Sequence, residues 1–295
     1  MTGKIVLITG ANSGIGFEAA VRIARMGADV VMVARNRKKA EAAIVAARAR
    51  SGSDKLSFML CDVSSMSGVR RLAAEVLATI PRLDVLVNNA GSVNDARRLT
   101  GEGLEQTFAA NYLGHFLLTQ LLLPLLMSSA PSRIVNVSSI GHRQGDLDFD
   151  NLQFEKGGYG IMKAYGRSKL AQILFTRELA RRLAGTGVTV NSLHPGAVAT
   201  NIWSYAPWFA RPVLAVAQLF MLTPERGGER IVYLATSPEV ESETGGYYDK
   251  SRRVEPSPLA RDRALAARLW DESVKLTQQG STRPPDWPGA GKPTI

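Results

Sequence analysis

A tyrosine and a lysine stand four residues apart in the segment YGRSK, at Tyr165 and Lys169. Four residues correspond to about one turn of an α-helix, so the two side chains share one helix face. A neighbouring ammonium stabilises a phenolate and lowers the pKa of a tyrosine from its usual value of about 10. The spacing therefore predicts that Tyr165 donates or accepts a proton near neutral pH.

A second pair with the same spacing, Tyr159 and Lys163, competes for this role. Three glycines surround Tyr159, and glycine disfavours a rigid helical turn. Tyr165 instead leads into LAQILFTRELARRL, where apolar residues recur at helical spacing. The pattern favours Tyr165 and Lys169 as the reactive pair; the alternative is a helix-surface contact without catalytic consequence.

A glycine-rich segment, TGANSGIG, follows a strand-like run at 5–8 and precedes an amphipathic stretch. In this context glycines let the backbone turn sharply and approach a pyrophosphate, while the N-terminus of the following helix supplies amide donors. The alternative is a turn that serves only the fold. The predicted contacts are Gly10, Asn12, Ser13, Gly14, Ile15 and Gly16.

The end of the second strand-like run indicates which dinucleotide binds. An NAD site usually has an acidic residue there, about 20 residues past the glycines, whereas this chain reads VARNRKK with Arg35 and Arg37. A guanidinium binds a 2′-phosphate through paired, charge-assisted hydrogen bonds. We therefore expect NADP(H) to be preferred over NAD(H); the alternative is that both arginines are only solvated.

Two further strand ends carry candidate contacts to the adenosine half of a dinucleotide. Asp62 and Val63 follow the third strand, where a carboxylate and a backbone amide can bind adenine. Asp62 and the serine two residues later also suit the N-cap of the next helix. Asn89 and Ala90 stand in NNAG, where small residues allow close approach of the ribose, and Asn88 beside them is predicted to be structural.

The order of the elements predicts the fold. Strand-like runs at 5–8, 30–33, 56–60, 85–87, 134–137 and 188–193 alternate with helical patterns. Such alternation requires crossover connections, which give a mainly parallel sheet with helices on both faces. We expect a single α/β domain over 1–279, of the Rossmann-type doubly wound class, and a flexible proline-rich tail over 280–295.

Two apolar stretches are long enough to be compared with membrane spans. The stretch at 113–127 is short and interrupted by polar residues, so it predicts a buried helix. The stretch at 202–222 contains Pro207, Arg211 and Pro212, and we interpret it as a lid whose aromatic side chains face a hydrophobic substrate. A pair of surface helices and peripheral docking on a membrane are the alternatives.

Composition restricts the partners and the compartment. The net charge of +10 suits nucleic acid, but the basic residues are dispersed and no zinc-finger or RNA-binding motif occurs, so no nucleic-acid partner is expected. The histidines lack metal-ligand spacing, so no metal site is expected, and His194 is predicted to be structural. One cysteine, and a strand that begins near Met1, favour the cytoplasm, with membrane association as the alternative.

The motifs TGANSGIG, Asp62-Val63, NNAG, Asn111, Ser138-Ser139, YGRSK and HPGAVAT, in this order over residues 3–200, resemble the short-chain dehydrogenases/reductases. The segments IVNVSS, SKLAQILFTRELARRL and GVTVNSLHPG are similar to the retinol dehydrogenase-like branch, which includes related carbonyl reductases. The resemblance implies an NAD(P)-dependent oxidoreductase that interconverts a hydrophobic ketone or aldehyde and the alcohol.

The resemblance also implies a role for each residue of the reacting centre. Tyr165 would protonate the carbonyl oxygen, or as a phenolate take the proton of an alcohol, while Ser139 hydrogen-bonds the same oxygen, with Ser138 as the alternative serine. Lys169 would hold the nicotinamide ribose and lower the pKa of the tyrosine. Asn111 would anchor a water that links Lys169 to solvent; a buried helix contact is the alternative.

The remaining implications concern the pocket and its partners. Pro195, Val198 and Thr200 in HPGAVAT would contact the nicotinamide amide, and the insertion at 142–162 would form part of the pocket rim. Apolar faces at 113–126 and 170–183 predict a homo-oligomer, either a dimer or a tetramer. Two other functions stay open, namely a tailoring ketoreductase of natural-product biosynthesis and a non-catalytic dinucleotide-sensing binding protein.

Overall fold

The computed structural model describes residues 1–196 and 222–278. The strands are β1 (Ile5–Thr9), β2 (Asp29–Ala34), β3 (Leu56–Leu60), β4 (Val85–Asn88), β5 (Ser132–Val137), β6 (Val188–His194), β7 (Tyr247–Asp249) and β8 (Arg252–Val254). The helices are α1 (Gly14–Arg25), α2 (Arg37–Ser51), α3 (Met66–Thr79), α4 (Gln106–Ser128), α5 (Ile161–Arg182), α6 (Pro224–Thr236) and α7 (Arg263–Gln278). The predicted tail at 280–295 and the predicted lid at 202–222, apart from Leu222, lie outside the described residues.

The strands form one sheet in the order β3-β2-β1-β4-β5-β6-β7-β8. Every neighbouring pair is parallel except β7 and β8, which are antiparallel. Apolar clusters lie on the two faces of the sheet and are completed by the helices. The predicted single α/β domain with a doubly wound, mainly parallel sheet is confirmed.

The apolar strands and their order explain where a site can form. Val6, Leu7 and Ile8 of β1 are all fully buried, as expected for a parallel strand that is covered by helices on both faces. The chain runs outward from β1 through β2 to β3 and then returns to place β4 on the other side of β1. Ligands of such sheets bind outside the carboxyl ends of the strands, where the order reverses.

Helix α4 is a core helix. Among the described residues it is the one helix that is long and apolar enough to cross a membrane, with a mean hydropathy of 1.3, but 78% of the apolar window is buried inside the protein. The sequence prediction of a buried helix at 113–127 therefore agrees with the structure. A π-helical turn, Ala109–Leu113, interrupts α4 near its beginning.

Helix α7 covers the apolar faces of α4 and α5. The Trp270 ring lies 5.1 Å from the ring of Phe116 and 6.0 Å from the ring of Phe175, measured between centroids. Leu269 and Trp270 are buried in the same cluster. The excess apolar surface that predicted subunit contacts is thus covered by the same chain, and the predicted homo-oligomer loses this support.

Candidate active site

Helix α5 begins at Ile161, so Tyr165 is helical and Tyr159 is not. The hydroxyl of Tyr159 donates to the carbonyl of Asn94 at 2.9 Å, and the ammonium of Lys163 lies 3.3 Å from Asp146. These two side chains therefore serve separate contacts. Tyr165 and Lys169 do meet, with Nζ 5.6 Å from the centroid of the tyrosine ring.

Lys169 is buried, and its amino group is bound by two oxygen acceptors. Its Nζ donates to the carbonyl of Val137 and to Oε1 of Gln172, each at 2.9 Å. Burial lowers the pKa of Lys169 to about 7, because desolvation penalises the ammonium form.

Tyr165 keeps its proton at neutral pH. Burial raises the pKa of Tyr165 above its ordinary value, and a hydrogen bond with Ser139 opposes this shift without reversing it. The direction is opposite to the lowering that we predicted from the neighbouring ammonium, because desolvation of the phenol is the largest cause and the Ser139 hydrogen bond opposes it only in part. The phenol is therefore in the form that donates a proton.

The two serines after β5 face different partners. Ser138 is buried, and its Oγ donates to the carbonyl of Lys169 at 2.9 Å, so it supports helix α5. Ser139 begins a 3₁₀ turn, Ile140–Gln144, and its Oγ accepts from the amide of Gly141 at 3.1 Å. A Cβ at Gly141 would lie 3.1 Å from Cε1 of Tyr165, so the glycine lets the serine turn approach the ring. The structure thus brings Ser139 to Tyr165.

Asn111 lies at the centre of the π-helical turn in α4 and is fully buried. Its Nδ2 donates to Oγ of Ser168 at 3.0 Å, and its Oδ1 accepts from the amide of Ser92 at 2.7 Å. A Cβ at Gly91 would lie 3.2 Å from Oδ1 of Asn111 and 3.8 Å from Nζ of Lys169, so these groups meet behind the reactive pair. π turns are rare and frequently occur at functional sites.

His115 connects helix α4 to the end of β1, a link that sequence reasoning missed. Its Nε2 lies 2.9 Å from Oγ1 of Thr9, and its Nδ1 lies 3.2 Å from the carbonyl of Asn111. Thr9 Oγ1 also accepts from the amides of Asn89 and Ala90. Burial lowers the pKa of His115 to about 4, so the ring is neutral. A histidine inside a largely apolar helix was the available signal.

The glycine turn after β1 is shaped by close approaches. Gly10 and Gly14 have φ angles of 66° and 59°, in the left-handed region that favours glycine. A Cβ at Gly16 would lie 2.3 Å from Nδ2 of Asn89 and 2.8 Å from the carbonyl of Gly10. The Asn89 side chain donates to the carbonyl of Thr9 at 2.7 Å, so it supports the turn from β4.

The beginning of α1 is open to an anionic ligand. Ser13 stands at the N-cap but its side chain makes no capping hydrogen bond, and no acidic residue lies in the first turn. Ser13 is exposed, and Asn12 and Ile15 are half-buried beside it. Uncapped amides at a helix N-terminus bind phosphate, so the turn fits the pyrophosphate of a dinucleotide.

Arg35 lies directly after β2 and is exposed. Within residues 1–196 and 222–278 its guanidinium makes no hydrogen bond and no ion pair, whereas Arg37 lies 3.7 Å from Glu41. Arg35 is therefore free to bind a phosphate at the ribose end.

The carboxylate of Asp62 accepts from the amide and the hydroxyl of Ser64, at 3.0 and 2.7 Å. Helix α3 is capped by Ser65, whose Oγ accepts from the amide of Gly68 at 3.1 Å, so the N-cap interpretation of Asp62 is wrong. Asp62 is exposed and lines a depression of about 620 Å³. Val63 is buried beside it.

The other asparagine of NNAG is structural, as predicted. Asn88 is fully buried, and its Nδ2 donates to Thr119 at 2.9 Å and to Asn136 at 2.8 Å. These bonds tie β4 to α4 and β5. Asn88 is thus directed into the core, whereas Asn89 and Ala90 lie at the end of the strand, where the order of the sheet reverses.

The insertion at 142–162 is held by a buried arginine from the YGRSK segment. Arg167 donates to Oδ1 of Asp146 at 2.7 Å and to the carbonyls of Asn151 and Leu152 at 2.7 and 2.8 Å. Its guanidinium also lies 4.0 Å from the centroid of the Phe154 ring. The insertion is therefore fixed by a side chain two residues after Tyr165.

The end of β6 lies beside the serine turn. Nδ1 of His194 accepts from the amide of Ile140 at 3.3 Å, which agrees with a structural role for this histidine. Pro195 follows at the edge of the described residues, and Val198 and Thr200 lie outside them. Within the described ranges no three histidine, cysteine or acidic side chains form a metal-binding group.

The family model described as short chain dehydrogenase matches residues 4–207. The chain belongs to this family. It is similar to retinol dehydrogenase 14 of Homo sapiens, with 47% identity over 289 residues that cover 92% of this chain and 86% of that protein. Retinol dehydrogenase 13 of Homo sapiens is 40% identical over 279 residues, with coverages of 93% and 84%.

A solved structure of an uncharacterized protein from Mycobacterium Paratuberculosis superposes with a TM-score of 0.77, at 34% identity over 94% of each chain. The sequence-based assignment to the short-chain dehydrogenases is therefore confirmed. Enzymes of this family are oxidoreductases that act on CH–OH groups with NAD or NADP, and this chain is such an enzyme.

Proposed function

We propose that this short-chain dehydrogenase reduces a hydrophobic ketone or aldehyde to the alcohol, with NADPH as the coenzyme and Tyr165 as the general acid. The observation that carries this proposal is the grouping of Tyr165, Lys169 and Ser139. Nζ of the buried Lys169 lies 5.6 Å from the centroid of the Tyr165 ring, and the Tyr165 hydroxyl is hydrogen-bonded to Ser139. A phenol in this position can donate its proton to a carbonyl oxygen, as reduction requires.

The side chains divide the work at the carbonyl group. When bound, the nicotinamide supplies the hydride that reduces the carbonyl carbon. Tyr165 gives its proton to the oxygen, and Ser139 donates a hydrogen bond to the same oxygen as negative charge develops there. Lys169 uses two of its three N–H donors on Val137 and Gln172, which leaves one for the ribose. Asn111 would hold the water through which Lys169 exchanges protons with solvent.

The surroundings of the reactive pair support an apolar substrate. Ile140 follows Ser139 directly and is 48% exposed, and Met162, one helical turn before Tyr165, is 47% exposed. Large apolar side chains exposed at a rim favour an apolar occupant. The aromatic residues within 202–222 would extend this wall.

The guanidinium of Arg35, which makes no hydrogen bond or ion pair with the described residues, supports NADPH over NADH. The coenzyme would be bound by the turn from Gly10 to Gly16, by Arg35 and Asp62, and by the backbone near Val63 and Ala90. No acid replaces Arg35 to repel a 2′-phosphate. A tailoring ketoreductase would share this chemistry and differ only in its pocket. A pure dinucleotide sensor would not need the protonated Tyr165.

The protein is proposed to be cytoplasmic. Cys61 is a free, buried thiol, as suits a reducing compartment. Helix α4, which alone among the described residues is long and apolar enough to cross a membrane, is largely buried in the fold. Peripheral membrane contact through 202–222 is the competing proposal, and binding to liposomes with and without that segment separates the two.

The test is turnover of a panel of aliphatic and aromatic aldehydes, ketones and alcohols, followed by nicotinamide absorbance with NADPH and NADH. Tyr165→Phe should lower kcat by about 10²- to 10⁴-fold while NADPH still binds. Tyr159→Phe removes the same hydroxyl from the competing pair and should leave kcat unchanged. Full activity of Tyr165→Phe on a verified substrate would refute the mechanism.

A further inference from the structure

His142 is a fully buried residue of the 3₁₀ turn that begins after Ser139. Its Nδ1 lies 2.8 Å from the carbonyl oxygen of Ser139, and its Nε2 lies 3.0 Å from the amide nitrogen of Ser257. A carbonyl only accepts and a backbone amide only donates, so Nδ1 carries the proton and Nε2 accepts. The two partners therefore hold the imidazole neutral and in one tautomer.

Burial of the ring agrees with this assignment. Desolvation lowers the pKa of His142 below its ordinary value, and so the neutral form persists at pH 7. The ring also packs edge-on against Tyr247 of β7, with 5.0 Å between centroids and an interplanar angle of 68°. Tyr247 is itself buried. The imidazole is thus fixed by bonds at both nitrogens and by packing.

The carbonyl that His142 holds belongs to the serine that faces Tyr165. The same oxygen accepts from the amide of His142 at 3.1 Å, so it receives two hydrogen bonds from one residue. The hydroxyl of Ser139 is linked to the amide of Gly141 and to Tyr165. The carbonyl carbon and the Cβ of Ser139 are bonded to the same Cα, so a shift of the backbone at Ser139 moves the hydroxyl. A displacement of about 1 Å can cost about 10²-fold in rate.

We propose that His142 is a positioning residue for carbonyl reduction, whose Nδ1–H holds the Ser139 carbonyl and thereby keeps the Ser139 hydroxyl against Tyr165. Through Nε2 and Ser257 the same ring connects this hydroxyl to the segment that follows β8. The inference rests on the proposed function of Ser139 and Tyr165. His142 would act only through Ser139, because a side chain with no exposed surface cannot contact the substrate.

Two substitutions separate the two nitrogens. His142→Asn places an amide nitrogen where Nδ1 lies, so it keeps the donor to Ser139 and loses the acceptor for Ser257. His142→Gln places an amide oxygen where Nε2 lies, so it keeps the Ser257 contact and loses the donor to Ser139. We expect kcat to stay within about threefold in His142→Asn and to fall about tenfold or more in His142→Gln, with the NADPH Kd unchanged in both.

Asn191 provides the control for a purely structural effect. It is buried, and it holds the chain before β7 through two backbone contacts, accepting from Gly246 at 2.9 Å and donating to Glu243 at 2.6 Å. It has no hydrogen bond to Ser139. Asn191→Ala and His142→Ala should both lower Tm, but only His142→Ala should lower kcat. An equal loss of kcat in both would overturn the proposal.

A second readout does not depend on turnover. In protein labelled with ¹³C at the tyrosine ζ carbon, Tyr165→Phe identifies the Tyr165 resonance, and Ser139→Ala shows its shift without the Ser139 hydrogen bond. His142→Gln should move the resonance toward the Ser139→Ala value, and His142→Asn should leave it in place. If the Tyr165 resonance of His142→Gln keeps the chemical shift of wild type, the inference is contradicted. If the wild-type enzyme reduces no carbonyl, the proposed function fails while this spectrum still decides the role of His142.

Discussion

The ammonium of Lys169 lies 2.9 Å from Oε1 of Gln172, one turn further along helix α5, and both side chains are buried. The second acceptor is the carbonyl of Val137. Nε2 of Gln172 has no hydrogen-bond partner in the described parts of the chain. A charge that a coenzyme would contact is therefore held in the core by two oxygens, and the folded protein bears the cost of removing it from water.

This burial predicts a dependence of stability on pH. Lys169 has a pKa of about 7 when folded, against 10.5 as its ordinary value. Between these values the unfolded chain binds more protons, so the contribution of Lys169 is least favourable below pH 7 and improves as the pH rises toward 10.5. The free energy of unfolding can be measured in urea for the coenzyme-free wild type and for Lys169→Met. The value for wild type minus the value for Lys169→Met should increase between pH 7 and pH 10.5.

The matched control is Lys163→Met, because Lys163 lies on the same helix and is exposed. Its difference from wild type should not follow this pH course. A flat difference for Lys169→Met over the same interval would show that the folded protein does not lower the pKa of Lys169.

The two adjacent serines should separate catalysis from stability. Ser139→Ala removes a hydroxyl that we place on the substrate oxygen and should lower kcat by about 10²- to 10³-fold with little change in Tm. Ser138→Ala removes the donor to the carbonyl of Lys169 and should lower the free energy of unfolding by about 1–3 kcal/mol while kcat changes little. If the kinetic loss follows Ser138→Ala instead, the assignment of the two serines is reversed.

Gly16→Ala should strongly weaken coenzyme binding without unfolding the protein at 25 °C. The new methyl group would meet Asn89 Nδ2 and the carbonyl of Gly10, so the turn must open. We expect the NADPH Kd to rise about 100-fold or more, measured by coenzyme fluorescence. Gly101→Ala is the control, since a Cβ at Gly101 would meet no atom within 4 Å. Unchanged affinity in Gly16→Ala would show that the turn does not contact the coenzyme.

Arg35→Asp should shift coenzyme preference from NADPH toward NADH. The substitution replaces a free guanidinium with a carboxylate that repels a 2′-phosphate and accepts from a 2′-hydroxyl. The NADPH Kd should rise about 10- to 100-fold, with equal or tighter binding of NADH. Lys39→Asp makes the same change of charge on the exposed beginning of α2 and controls for long-range electrostatics. Equal effects of both variants on NADPH binding would remove Arg35 from the site.

Trp270→Ala should uncover the surface between α4 and α5. Loss of this buried ring is expected to lower the free energy of unfolding by about 3–5 kcal/mol, because Phe116 and Phe175 lose their aromatic neighbour. The exposed apolar face should also promote self-association, visible by light scattering at micromolar concentration. The control is Arg263→Ala at the exposed beginning of α7. A monodisperse Trp270→Ala protein with the association state of wild type would argue that α7 shields no interface.

The sheet and the glycine turn were predictable from the sequence because they depend on local patterns. Apolar runs such as 5–8 and 188–193 define strands, and alternation with helices fixes their parallel pairing. Strands β7 and β8 were missed because three residues are too few to establish a pattern. The covering of α4 by α7 was missed because it depends on packing between residues more than 140 positions apart, such as Phe116 and Trp270.

The sequence indicated which residues of the candidate site lie together, but not the direction in which the pKa of Tyr165 is shifted. Residue types and spacing selected Tyr165 and Lys169, and the family resemblance selected Ser139; the three side chains lie together. The direction of the Tyr165 pKa was wrong because a pairwise argument includes the ammonium but not the loss of water around the phenol. The contacts of His115 and His142 were not predicted because they are made with backbone carbonyls, which no spacing of residue types reveals.

Arg167 joins the loop at 145–154 to helix α5, which carries Tyr165. If the loop at 145–154 is exchanged to change the substrate, the new loop must still bind the guanidinium of Arg167 with a carboxylate, two carbonyls and an aromatic ring. These groups are now supplied by Asp146, Asn151, Leu152 and Phe154. A new loop without these groups would leave the Arg167 guanidinium without partners and would disturb helix α5 two residues beyond Tyr165. Redesign of selectivity in this enzyme should therefore exchange the loop together with position 167.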